Sequence, residues 1–256
     1  MNKKIDGIII STVDYKENSK IVNVLTEKEG IIGVLAKGCK SPRSKISSTS
    51  SVLTYGTFYL NYYKGSIPLL TEVDIKDSFK YIKKDLLRTN YSYYLLELAS
   101  QVYKHDKNPN IYKLLITGLK KINDGIDEAI ITNIIELQLL EYLGIKPEIE
   151  CCVACKKTND IVTLSSYKGG YLCKNCVGNE YIYQLKTIGL IRLFCLLDIS
   201  KVTRIDISDS IKSEISSFID DYYERYSGLY LKSKDLLEKI IKLNIMKEKS
   251  SRKDFS

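Results

Sequence analysis

The sequence predicts an α+β chain of two parts, a five-stranded β-barrel followed by an all-α region that carries a four-cysteine module. Three observations lead there. Apolar residues recur with period two between residues 5 and 74. From Asp77 onward the apolar period becomes helical. Two Cys-x-x-Cys pairs then stand together, Cys152–Cys155 and Cys173–Cys176, with 17 residues between them.

The strands come first. Ile5 to Val13 is apolar through Ile8, Ile9 and Ile10. Ile21 to Thr26 and Ile31 to Ala36 flank the turn Glu27–Gly30 and read as a hairpin. Val52 to Tyr63 alternates over twelve residues as a long, curved strand. Phe58 and Leu60 lie on one face, Tyr55, Thr57, Tyr59 and Tyr63 on the other, and Gly56 marks a bend. Ile67 to Val73 is a fifth strand. Five short strands in so few residues suggest a small closed barrel.

Lys37 to Ser51 interrupts this pattern as a polar, mobile loop. No acid occurs between Glu29 and Glu72, so Lys37, Lys40, Arg43, Lys45 and Lys64 stand unopposed along the chain, near tyrosines. Bases neutralise phosphates and aromatic faces stack on nucleobases, so these five residues with Tyr59 and Tyr63 are the candidate DNA contacts.

Helices follow. Phe79, Ile82, Leu86 and Leu87 start one, and Tyr91 to Val102 continues or restarts it. Ile111 to Ile122 is another. Asp127 caps a helix running through Ile130 to Leu143, which Gly144 and Pro147 end. Ile188 to Leu197 reads as a buried helix that holds Cys195. Ile211 to Tyr226 and Ser233 to Met246 are amphipathic, with Ser233 as an N-cap. Lys247 to Ser256 is polar, basic and expected to fray. His105, the only histidine, has no catalytic company.

Paired thiols three positions apart point at one centre, and two such pairs close a tetrahedron of thiolates. The donor set is therefore read as Cys152, Cys155, Cys173 and Cys176 on one structural Zn²⁺ per chain. Cys151 beside Cys152 leaves the first ligand open, and Lys156 stands where a glycine often relaxes such a turn. Lys156, Lys157, Lys168 and Lys174 would offset the excess thiolate charge. All four metal positions are filled by protein, which makes the ion a scaffold.

Composition bounds the rest. The formal net charge of +8 favours an anionic partner such as nucleic acid. Seven cysteines, four of them metal-spaced, suit a reducing compartment. The apolar run Ile8–Ile10 is too short for a signal core or a membrane span, so a cytoplasmic protein is expected, with no membrane partner. No phosphate-binding Gly-x-x-x-x-Gly-Lys, His cluster or nucleophile elbow occurs, and no enzymatic activity is expected.

Taken in order, the motifs resemble the RecO family of recombination mediators over nearly the full length. They are Gly7–Ser11, Tyr15–Ser19, Thr26, Glu29–Gly30, Ala36–Gly38 and the basic loop. Leu143–Pro147, the two Cys-x-x-Cys pairs, Gly169–Gly170 and Leu231–Lys234 before Leu236–Leu237 follow. The resemblance implies an OB-fold nucleic-acid-binding domain over 1–76 and a helical domain over 77–256, with the zinc module inserted at about 148–180. It implies a role in DNA repair and recombination in the RecFOR pathway, on the nucleoid when DNA is bound. The implied partners are single- and double-stranded DNA, RecR, the acidic C-terminal tail of single-stranded DNA-binding protein and, indirectly, RecA. The competing reading is a zinc-ribbon adaptor that binds protein partners only.

Overall fold

The computed structural model of the protein describes residues 2–253. The chain divides into two compact units. One is built from the chain up to Asn123 and again from Leu231 onward; the other is Asp124–Tyr230. The expected barrel boundary at 76/77 falls inside the first unit, and the helical region is shared between the two.

The barrel comprises β1 (Asn2–Tyr15), β2 (Ser19–Thr26), β3 (Gly30–Ala36), β4 (Tyr55–Asn61) and β5 (Leu69–Asp77). It closes in the order β1-β2-β3-β5-β4. Every pairing is antiparallel except a short parallel contact, Leu35 with Leu69. β1 serves two partners: Asn2 to Ile8 pair with β4, and Gly7 to Tyr15 pair with β2, across a register shift between Ile9 and Ser11. Such a shift bends a strand and lets it turn the corner of a barrel. Gly7 lies opposite Gly56 at that corner. A Cβ on Gly56 would sit 2.3 Å from the Asp74 carbonyl oxygen, and one on Gly7 would sit 2.5 Å from Val24 Cγ1.

Alternation fills the interior as expected. Ile5, Ile9, Val22, Val24, Val34, Phe58, Leu60 and Leu70 form one cluster. The fourth strand is shorter than the sequence suggests. Leu53 adopts φ 68°, its N–H donates to Ile9 O, and Ile9 N–H donates to Thr54 O. Residues 52–54 thus seal β1 as a turn. The outward face is also not all wet: Tyr55 is buried and stacks on Phe79 with ring centroids 5.9 Å apart.

The loop after β3 has local structure of its own. It is a chain of turns, with Ser41, Ser44 and Ser47 N–H groups donating to Gly38, Ser41 and Ser44 carbonyls at 3.1, 3.0 and 3.1 Å. Its two apolar side chains, Cys39 and Ile46, join the barrel core. Burying them holds the loop across the barrel with Lys37, Lys40, Arg43 and Lys45 exposed.

Four helices complete the first unit: α1 (Lys80–Lys83), α2 (Leu86–His105), α3 (Pro109–Asn123) and α7, which is Lys232–Lys253. The helical span of α7 runs to Lys253, and residues 254–256 lie outside the described residues. Phe79, buried at φ 47°, joins barrel to helices, and its N–H donates to the Asp77 carboxylate at 2.8 Å. Asp85 caps α2 by accepting from Arg88 N–H. Ser233 is not the cap expected of it. The Glu97 carboxylate on α2 accepts from the Lys232 and Ser233 N–H groups and from the Ser233 hydroxyl, which caps α7 from outside the helix.

The second unit holds α4 (Glu128–Tyr142), the hairpin β6 (Ile161–Ser165) with β7 (Gly170–Cys173), α5 (Leu185–Leu196) and α6 (Asp209–Tyr226). Asp127 caps α4, accepting from Ala129 and Ile130 N–H. Gly144, at φ 71°, ends the turn beyond it. Gln138 donates to Phe194 O and Leu197 O, tying α4 to the end of α5. α5 is less buried than expected, because Leu185, Leu193 and Leu196 are exposed.

The Gly7–Gly56 crossing generates a stability prediction. Gly56→Ala drives a methyl group into the β5 backbone and should lower unfolding stability by about 2–3 kcal/mol in urea titration. Gly38→Ala, with open space around it, should cost about 1 kcal/mol for its positive φ alone.

Candidate metal centre and nucleic-acid surface

The cysteine module starts where α4 stops. Glu148 N–H donates to Gly169 O and Tyr171 N–H to Glu148 O, both at 2.9 Å, which lays the incoming chain along β7. Only a glycine fits at 170, since a Cβ there would lie 2.3 Å from Glu148 O. Two tight turns follow. Lys156 N–H donates to Cys152 O at 2.8 Å, and Cys176 N–H donates to Cys173 O at 2.9 Å. Lys156 adopts φ 62°, the conformation for which such turns often use a glycine. A lysine tolerates it at a cost of about 1–2 kcal/mol.

These turns bring together the sulfurs of Cys152, Cys155, Cys173 and Cys176, all within 4.8 Å of one another. Cys155 Sγ and Cys173 Sγ are 3.6 Å apart. Thiolates at about 2.3 Å from a tetrahedral ion are separated by about 3.8 Å, so the spacing fits a metal. Cys151 is not in the cluster, so Cys152 is the candidate first ligand. Cys39 and Cys195 are buried elsewhere. Cys152 and Cys173 are buried against Leu172, with Val153, Ile161 and Val177 packed around them.

Electrostatics suit the same purpose. Burial opposes the Cys152 thiolate, but hydrogen bonds from the backbone of Cys173, Cys155 and Ala154 outweigh it and lower the thiol to about 6. Hydrogen bonds with the Cys155 and Cys173 thiols, then burial, hold Cys176 up at about 12. A cluster that ionises unevenly by itself is one that a cation would complete. The lysines expected to offset the charge are partly committed: Lys168 pairs with Glu180 at 2.7 Å and Lys174 with Asp160 at 3.6 Å.

The candidate DNA contacts are distributed differently from their sequence order. Lys37, Arg43, Lys45 and Lys64 are exposed, as is Tyr63. Lys40 is not unopposed, because it pairs with Asp14 at 3.0 Å. Tyr59 is engaged by its own neighbours. Its hydroxyl donates to Asp74 at 2.6 Å, the Lys4 ammonium lies 4.9 Å from its ring centroid, and Glu72 acts on the same phenol. The two carboxylates beside this ring oppose the approach of a phosphate chain.

Charge is divided between the units in a way that the total conceals. Asp124–Tyr230 has 11 lysines and arginines against 16 aspartates and glutamates, net −5. The rest of the chain has 28 against 15, net +13. The basic surface therefore belongs to the barrel-bearing unit and not to the cysteine module. Summing charge by segment along the sequence would have revealed it, had the unit boundaries been known.

The chain was compared with known proteins. Residues 1–79 match the family model described as Recombination protein O N terminal, and residues 83–235 match Recombination protein O C terminal. The chain belongs to the RecO family. It is similar to the DNA repair protein RecO of Bacillus subtilis, 36% identical over 94% of this chain and 95% of that protein. The RecO proteins of Bacillus pumilus and Halalkalibacterium halodurans are 36% and 34% identical, over 93% and 94% of this chain and 94% and 96% of their own lengths. Membership of the RecO family supports a role in DNA repair and recombination. Among the described residues no helix is long and apolar enough to cross a membrane.

Metal analysis should find close to one equivalent of a thiophilic divalent ion per chain. Cys152→Ser and Cys173→Ser should each empty the site and lower the melting temperature, because binding and folding are linked. Cys151→Ser and Cys195→Ser should retain the metal. Acidification should release it, since protons compete for every thiolate ligand.

Proposed function

We propose that the protein is a non-enzymatic mediator of recombinational repair. It binds single- and double-stranded DNA, anneals complementary strands, and acts with RecR to help RecA load onto DNA coated by single-stranded DNA-binding protein. The ion in the cysteine module is one structural Zn²⁺, with every coordination position filled by protein. The observation that carries the DNA reading is the loop across the barrel. Its buried anchors Cys39 and Ile46 fix it in place, and Lys37, Arg43 and Lys45 extend from it to solvent, in the unit with the large positive excess. A held loop presents its bases to a phosphate chain with less ordering cost than a mobile one.

The acidic tail of single-stranded DNA-binding protein needs an apolar surface with a basic rim. α5 offers Leu185, Leu193 and Leu196 with Lys186 and Arg192, all exposed. A tail peptide that binds Leu193→Asp as tightly as the parent protein would exclude that face.

The main test is a DNA titration at several salt concentrations. Changing Lys37, Lys40, Arg43 and Lys45 together to Ala should weaken binding to every sequence alike. The salt slope should flatten by about one unit for each phosphate left without its cation. Lys40, shared with Asp14, should contribute least. Metal content and helicity should not change. A parent protein with no salt-dependent DNA affinity would instead favour an adaptor that binds only proteins.

A further inference from the structure

The junction between barrel and helices carries a second basic surface, separate from the loop across the barrel. Lys80, Lys83 and Lys84 come within five residues, all exposed. Tyr81 between them is 43% exposed, and the Arg88 guanidinium lies 4.0 Å from its ring centroid. Asn123, the last residue of α3, accepts from Tyr81 and Ile82 N–H at 3.1 and 3.4 Å. The last turn of α3, with Lys120, is thereby held against α1.

These lysines lack acidic partners. Several others in the same unit are matched to acids: Lys3 with Glu29, Lys40 with Asp14, Lys76 with Asp6, Lys113 with Glu27. Among the described residues Lys80, Lys83, Lys84 and Lys120 form no ion pair. Partial burial lowers the Lys83 ammonium below its usual range, and Asp77, which opposes this, is already bonded to Phe79 N–H. Like charges gathered without counterions repel one another, and a polyanion relieves that repulsion.

We propose that the Lys80–Lys84 segment, with Lys120, is a second contact surface for single-stranded DNA, its lysines on phosphates and Tyr81 under a base. This rests on the DNA-binding reading above and extends it. Single strands are favoured over duplex because an exposed aromatic ring can stack only on a base that is free of its partner. Arg88 backs the ring on one side and leaves it a rigid platform.

The test compares parent, loop variant and two new variants on a single strand and a duplex of the same sequence. The triple change Lys80, Lys83 and Lys84→Gln should flatten the single-strand salt slope by about two units, at about 0.7 for each phosphate. Tyr81→Leu should weaken single-strand binding about tenfold and leave duplex affinity unchanged. Metal content and melting temperature of the triple variant should match the parent, because all three side chains are exposed. A triple variant with the parent's slope overturns the proposal, whatever the loop variant does. If the loop variant keeps full affinity while the triple variant loses it, the proposal stands and the loop reading falls. If the parent binds no DNA, both fall together. Equal losses on single strand and duplex for Tyr81→Leu would overturn the base-stacking role.

Discussion

Closure of the barrel by a single strand is the constraint on which the first unit depends. β1 pairs with β4 along one half and with β2 along the other. One strand can do both only by bending sharply, and the register shift at Ile9–Ser11 with glycines at 7 and 56 makes room for the bend. Closure removes the sheet edges and leaves one interior. The loop after β3 can then be fixed by two side chains, Cys39 and Ile46, that have nowhere else to be buried. The outer face at Tyr55 likewise has a defined place for Phe79 to pack. The exposed bases of that loop are therefore positioned by interior packing some distance beneath them.

The fold was legible where it depended on neighbours in sequence. Period-two alternation located all five strands to within a few residues, and Asp127, Gly144 and Pro147 marked the ends of α4. It was illegible where a distant residue did the work. α7 is capped by Glu97, α5 by Glu214, which accepts from Gln184 N–H and the Thr187 hydroxyl, and α1 by Asn123. No local pattern reveals an acid that arrives from another helix. Ser233 looked like a cap because serine usually accepts at that position, but here it donates.

The metal site was the most legible element, since both half-sites are short-range turns with their own spacing. Its single ambiguity, Cys151 or Cys152, required the three-dimensional register set by Glu148 against Gly170. The DNA surface was legible as composition and not as geometry. Lys40 met Asp14 and Tyr59 met Asp74 across strands that the linear sequence separates. The same folding that neutralised those two left the lysines of α1 exposed and without acids.

The second unit interrupts the first in chain order, between Asn123 and Leu231. On a ribosome the cysteine module is therefore complete before the last helix of the other unit has been made. Until α7 leaves the exit tunnel, the apolar side of α2 that receives it stays uncovered. The first unit, begun first, is thus completed last, by a step that joins segments synthesised far apart in time.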